Sequence, residues 1–166
     1  AEKIKKVSKK ISFLIFAEPY CPDCRAFVPF MEKFAELNPF IHVTYLSRKD
    51  NLELLASLSK EARIPSMFSY VNGKAHLVYL ELPNFVWERI KNNEDSSELR
   101  YNYRTGVYNK EVEKELLNIV LKAEKEKHDD NQSRNQRLWS YWSQYFACAL
   151  RRWQKTRHRN RGHQRF

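Results

Sequence analysis

The feature that most constrains this chain lies over residues 11–24. Residues 11–17, Ile-Ser-Phe-Leu-Ile-Phe-Ala, form an almost unbroken apolar run of strand length. It does not alternate, so both faces of such a strand need cover, as in a sheet layered between helices. Glu18-Pro19-Tyr20 breaks the run, and apolar residues then return at helical spacing at Phe27, Phe30, Met31, Phe34 and Leu37. Pro22 suits the first helical position, where no N–H bond is lost and φ is already set. Asn38-Pro39 closes the segment, because the residue before a proline is pushed out of the helical region. At the junction of strand and helix stands Cys21-Pro22-Asp23-Cys24.

The rest of the chain extends the same pattern. Residues 1–10 read as a short charged helix with Ile4 and Val7 as its apolar contacts, and 40–46 as a second, β-rich strand. Leu52, Leu55, Ala56 and Leu58 outline a helix running to residue 62. Residues 66–71 and 75–80 are strands joined by Asn72-Gly73, a two-residue turn whose positive-φ preference points to antiparallel pairing. Residues 83–106 are polar and are expected to form an irregular insertion over the surface. Val112, Leu116, Ile119, Val120 and Ala123 share one stripe of a final helix over 107–127. The order βαβ, hairpin, closing helix predicts an α/β fold with one mixed central β-sheet flanked by helices.

Three cysteines, Cys21, Cys24 and Cys148, are too few for a disulfide-stapled scaffold. A structural zinc site takes four ligands, and no second C-x-x-C supplies them; Cys148 and His128 would have to fold back to do so. No metal site and no cofactor are therefore expected. What remains for the pair is thiol–disulfide exchange. Cys21 precedes a helix start, where unpaired N–H groups and the positive end of the macrodipole favour a thiolate. Cys24 lies one turn further along, on the same edge, placed to attack a mixed disulfide formed at Cys21. Asp23, as a carboxylate beside Cys21, works against that ionisation.

Taken together, the strand leading into Pro19-Tyr20-Cys21-Pro22-Asp23-Cys24, the helix it opens, and Arg63-Ile64-Pro65-Ser66 about 40 residues later resemble the thioredoxin superfamily over residues 1–127. The resemblance implies a thioredoxin-like fold, with Cys21 as nucleophile and Cys24 as resolving thiol. It implies that Pro65 is cis and faces the cysteines, and that Ile64 pairs with the extended chain of a substrate. Tyr20, Pro22, Asp23 and Glu18 are then the residues supporting the site. Several positions depart from the family pattern. Pro22-Asp23 replaces the usual Gly-Pro, Tyr20 stands where tryptophan is common, and the strand lacks the family's buried acid. Glu18 is the nearest carboxylate and the candidate proton relay to Cys24.

The net charge of +10 is unevenly spread: of 30 Lys and Arg, nine fall in residues 131–166, which hold none of the 20 acids. Residues 128–166 thus read as an aromatic, basic, amphipathic helical tail on a nearly neutral domain. Leu138, Tyr141, Trp142, Tyr145, Phe146, Ala149, Leu150 and Trp153 form a helical stripe too apolar to face water. Packing against the domain, or against a second copy as a homodimer through 138–153, is one reading. The basic run over 151–165 offers two others, an anionic membrane surface or a nucleic acid.

The apolar run near the start is too short for a signal peptide or a membrane span. The expected compartment is the cytoplasm; Ala1 leaves the natural start of the chain open. Two function classes follow. One is a thiol–disulfide oxidoreductase acting on protein or small-molecule disulfides and recharged by an electron donor. The other is a thioredoxin-fold binding module whose cysteines are idle and whose tail makes the contacts.

Overall fold

The computed structural model describes residues 2–71 and 74–126. Their elements run α1 (Glu2–Lys5), β1 (Ile11–Phe16), α2 (Pro22–Leu37), β2 (Ile41–Leu46), α3 (Leu52–Leu58), β3 (Ser66–Val71), β4 (Lys74–Leu80), α4 (Asn84–Lys91), α5 (Ser96–Arg104) and α6 (Asn109–Glu126). The four strands form one sheet in the order β2-β1-β3-β4. β1 pairs parallel with β2 from Ile11↔Ile41 to Phe16↔Leu46 and antiparallel with β3, and β3 pairs antiparallel with β4. The expected mixed sheet is thus present, with antiparallel hairpin strands; the Asn72-Gly73 turn itself lies outside the described residues.

β1 is interior, as its lack of alternation requires. Phe13 and Ile15 enter the larger core with Phe27, Met31, Phe34, Leu116 and Val120 from α2 and α6. Phe16 points the other way, into a smaller cluster with Leu46, Leu55 and Phe68, packed beneath α3 with Leu14 at its margin. One strand therefore serves both apolar layers, which is why it tolerates almost no polar residue.

Asn38 locks the N-terminal segment to this frame. Its backbone N–H bonds the Phe34 carbonyl at the end of α2. Its side-chain amide donates to the carbonyls of Ile4 and Val7 at 2.7 and 2.8 Å, and its Oδ1 accepts from Phe40 N–H at 2.8 Å. A helix stop read from the sequence is also the clasp for α1.

Residues 83–106 correct the sequence expectation. They are not an irregular insertion: they fold into α4 and α5. α5 starts on Asp95, whose side chain accepts from Ser97 N–H at 2.8 Å, and it buries Leu99 and Tyr103, one turn apart. α4 buries Val86. Both helices contribute to the larger core, and α5 packs on α2 beside the cysteines. Two smaller differences follow from weak helix ends: α1 is a single turn, and α3 stops at Leu58. The aromatic and basic tail, Cys148 included, lies outside the described residues. Among the described residues no helix is long and apolar enough to cross a membrane.

Candidate functional site

The register of the sheet builds the site. Phe16, the last residue of β1, pairs with Ser66, the first of β3, so the loop leaving β1 and the loop entering β3 emerge side by side. Cys21 is carried on the first, and Ile64 and Pro65 on the second. The Ile64–Pro65 peptide is cis, and Cys21 Sγ lies 3.8 Å from the Ile64 carbonyl oxygen.

Cys21 occupies the N-cap of α2, with extended backbone angles (φ −78°, ψ 119°). A cap side chain accepts from the free N–H groups of the first turn; here the acceptor is sulfur, 3.3 Å from Cys24 N–H. Pro22 takes the first helical position, as expected. Cys21 is half-buried and Cys24 buried, and both are free thiols.

The two sulfurs are tuned in opposite directions. A hydrogen bond from the Cys24 side chain, helped by the N–H groups of Cys24 and Asp23, lowers the Cys21 pKa from 9.0 to about 7; partial burial and the charge of Asp23 oppose it. Donation to Cys21 and burial push Cys24 far above the ordinary thiol range. One thiolate near neutrality beside one retained proton is the arrangement expected of an attacking and a resolving thiol.

Other expected site residues separate. Glu18 is buried, but its Oε1 accepts from Ser47 Oγ and Lys49 N–H, both at 2.9 Å. The carboxylate thus braces the β2–α3 loop, and the Glu18 backbone is the part that meets Cys24. Tyr20 is 71% exposed and stands clear of the sulfurs' hydrogen bonds.

Asp23 is where the sequence reading was incomplete. It is buried in the first turn of α2 and reaches a cation 81 residues away: Arg104 Nε donates to Oδ1 at 2.7 Å, and Nη2 to Oδ2 at 3.0 Å. This two-bond fork is the strong geometry for guanidinium and carboxylate. Arg100, one turn earlier on α5, stands 3.5 Å from Oδ2 and bonds Glu81 Oε1 at 2.9 Å. Glu81 Oε2 in turn holds Arg63 at 2.9 Å, and Arg63 reaches Glu61 at 3.0 Å.

A line of alternating charge therefore runs from the cysteine motif past the cis-proline. Glu81 joins it at a left-handed backbone position (φ 61°), strained for a residue other than glycine or asparagine. Its N–H bonds the Pro65 carbonyl at 2.7 Å. Trp87 lies beneath, 5.8 Å from the guanidinium carbons of both Arg63 and Arg100. Behind Asp23, the hydroxyls of Tyr79 and Tyr103 pair at 2.9 Å, and Tyr103 also donates to the Asp23 carbonyl at 3.4 Å.

Arg100, Tyr103, Arg104, Glu81, Tyr79 and Trp87 are the residues that reading the sequence missed. A local signal existed for α5 alone: Asp95 with Glu98 three residues on is a helix-start pattern, and Leu99 and Tyr103 share a face.

A family model described as thioredoxin matches residues 1–100, more than half of the chain. The chain belongs to the thioredoxin family. The match stops inside α5, so the part of this thioredoxin-family chain that carries Arg104 lies beyond it. Two solved structures share the fold. One is a crystal structure of an HIV epitope scaffold, 18% identical, with a TM-score of 0.56 over 73% of this chain and 72% of that one. The other is a protein of unknown function from Pseudomonas aeruginosa, 20% identical, with a TM-score of 0.57 over 74% of this chain and 72% of that one. At such identities the likeness speaks for the fold alone. No curated protein matches the chain.

Proposed function

We propose that this thioredoxin-family chain is a thiol–disulfide oxidoreductase that reduces disulfides of proteins or small molecules. The Cys21 thiolate attacks one sulfur of the substrate disulfide; that S–S bond breaks, and the departing sulfur takes up a proton. Cys24, losing its proton as the mixed disulfide forms, then attacks Cys21 Sγ, closes a Cys21–Cys24 disulfide and releases the second substrate thiol. Two electrons pass from the dithiol to the substrate. A donor dithiol or thiol, oxidised in turn, restores the pair. A reducing compartment such as the cytoplasm keeps it in the dithiol form.

The observation that carries this reading is the opposite tuning of adjacent sulfurs, Cys21 brought to about 7 and Cys24 pushed up. The carbonyl of Ile64 beside Cys21 supports a role for that loop in pairing with the substrate backbone, with Pro65 following it. The test is turnover of insulin disulfides with dithiothreitol as donor. The intact pair should accelerate precipitation of the reduced chains, and Cys21→Ser should abolish the acceleration. Absence of any acceleration with both thiols intact would overturn the proposal in favour of a binding module with idle cysteines.

A further inference from the structure

We propose that Arg104, backed by Arg100, is a positioning residue of the thiol chemistry: it neutralises Asp23, the one carboxylate inside the cysteine motif, and so lets Cys21 ionise. The inference deepens the oxidoreductase reading and rests on it for its purpose, but not for its measurement.

The geometry comes first. Asp23 follows Cys21 by two residues and precedes Cys24 by one, and its side chain is buried. A buried carboxylate at that place raises the energy of a nearby thiolate, because in a region of low dielectric like charges repel strongly. Both its oxygens are instead engaged by one guanidinium, at 2.7 and 3.0 Å, with a second at 3.5 Å. Arginine is suited to this: its planar fork matches a carboxylate and its charge is permanent.

The groups that act on Cys21 are Cys24 and Asp23 from α2 and the Ile64 carbonyl from the loop before β3, and its charge is in turn felt by Tyr103 and Arg104 from α5. Among these Arg104 is the permanent cation. Asp23 acts to raise the Cys21 pKa, though less than the Cys24 hydrogen bond lowers it. The Arg104 pKa is itself raised, first by the bond to Asp23 and further by the charges of Asp23 and Cys21, which places its guanidinium within electrostatic reach of the sulfur. α5 thus supplies a counter-charge to the cysteine motif from 81 residues further along the chain.

The pH profile of Cys21 alkylation by iodoacetamide, read by mass spectrometry on the full chain, tests this. Arg104→Gln, which leaves Asp23 without its main partner, should move the midpoint upward by roughly one pH unit and slow alkylation at pH 7 about fivefold. Arg104→Lys should lie between that variant and the unaltered protein. Asp23→Asn should move the midpoint downward, and Asp23→Asn with Arg104→Gln should cancel the upward shift. A bond that served only to dock α5 on α2 would leave the double variant at least as disturbed as the single one. An unchanged midpoint in folded Arg104→Gln overturns the inference. So does an unchanged midpoint in Asp23→Asn, which decides the matter where Arg104→Gln does not fold. The expected shifts in a chain whose unaltered form does not accelerate insulin reduction would refute the oxidoreductase reading instead and leave the role of Arg104 standing.

Discussion

Cys24 supplies the largest single contribution to the lowered pKa of Cys21, through its side chain, and that bond can be removed without touching the nucleophile. Cys24→Ala deletes the donor. The N–H groups of residues 23 and 24 still point at Cys21 Sγ, the latter at 3.3 Å, but burial and the charge of Asp23 oppose them at least as strongly, so the pKa should return essentially all the way from about 7 to 9.0. At pH 7 a thiol of pKa about 7 is half ionised, one of about 8 roughly 9% ionised, and one of about 9 roughly 1%. A midpoint near 9 therefore predicts alkylation of Cys21 about fiftyfold slower at pH 7, with little difference at about pH 10, where either thiol is mostly ionised.

Cys24→Ser is the control. A hydroxyl can still donate to the thiolate, so its midpoint should stay closer to 7 than that of Cys24→Ala. The assay is the rate of iodoacetamide incorporation at Cys21 between pH 5 and pH 10, by peptide mass spectrometry. A midpoint that stays near 7 in Cys24→Ala would show that the helix start alone ionises Cys21, and the account of the two sulfurs given above would be wrong.

Further expectations concern the frame. Asn38→Ala removes two donors and one acceptor from a buried cluster; it should lower stability by roughly 2–4 kcal/mol in urea denaturation, and a loss below about 1 kcal/mol would refute the clasp assigned to Asn38. The Tyr79–Tyr103 hydroxyl pair should appear in a double-mutant cycle: Tyr79→Phe and Tyr103→Phe together should cost less than the sum of the single changes, with a coupling of about 1 kcal/mol. Strict additivity would mean that the two hydroxyls do not stabilise each other.

Much of the frame was legible because it is local. A strand with no alternation, a proline at a helix start, an Asn-Pro stop and an Asn-Gly between two β-rich runs each carry their physical reason within a few residues. The cysteine pair was legible for the same cause, since the helix that lowers one pKa begins where the motif does. Residues 83–106 were not. α4 and α5 bury so little (Val86, Leu99 and Tyr103) that their charged faces hide the helical period, and a short helix of this kind is held by tertiary packing more than by its own pattern.

The sequence alone therefore determined the layered α/β frame and the placing of Cys21 at a helix start, both products of short-range sterics and periodicity. The tertiary structure alone decided what surrounds the sulfur. Asp23 and Arg104 meet across 81 residues, Glu18 turns its carboxylate to Ser47 and Lys49, and Glu81 closes the gap between Arg100 and Arg63. Charge pairs of this kind depend on which surfaces the core brings together, and no spacing along the chain encodes them.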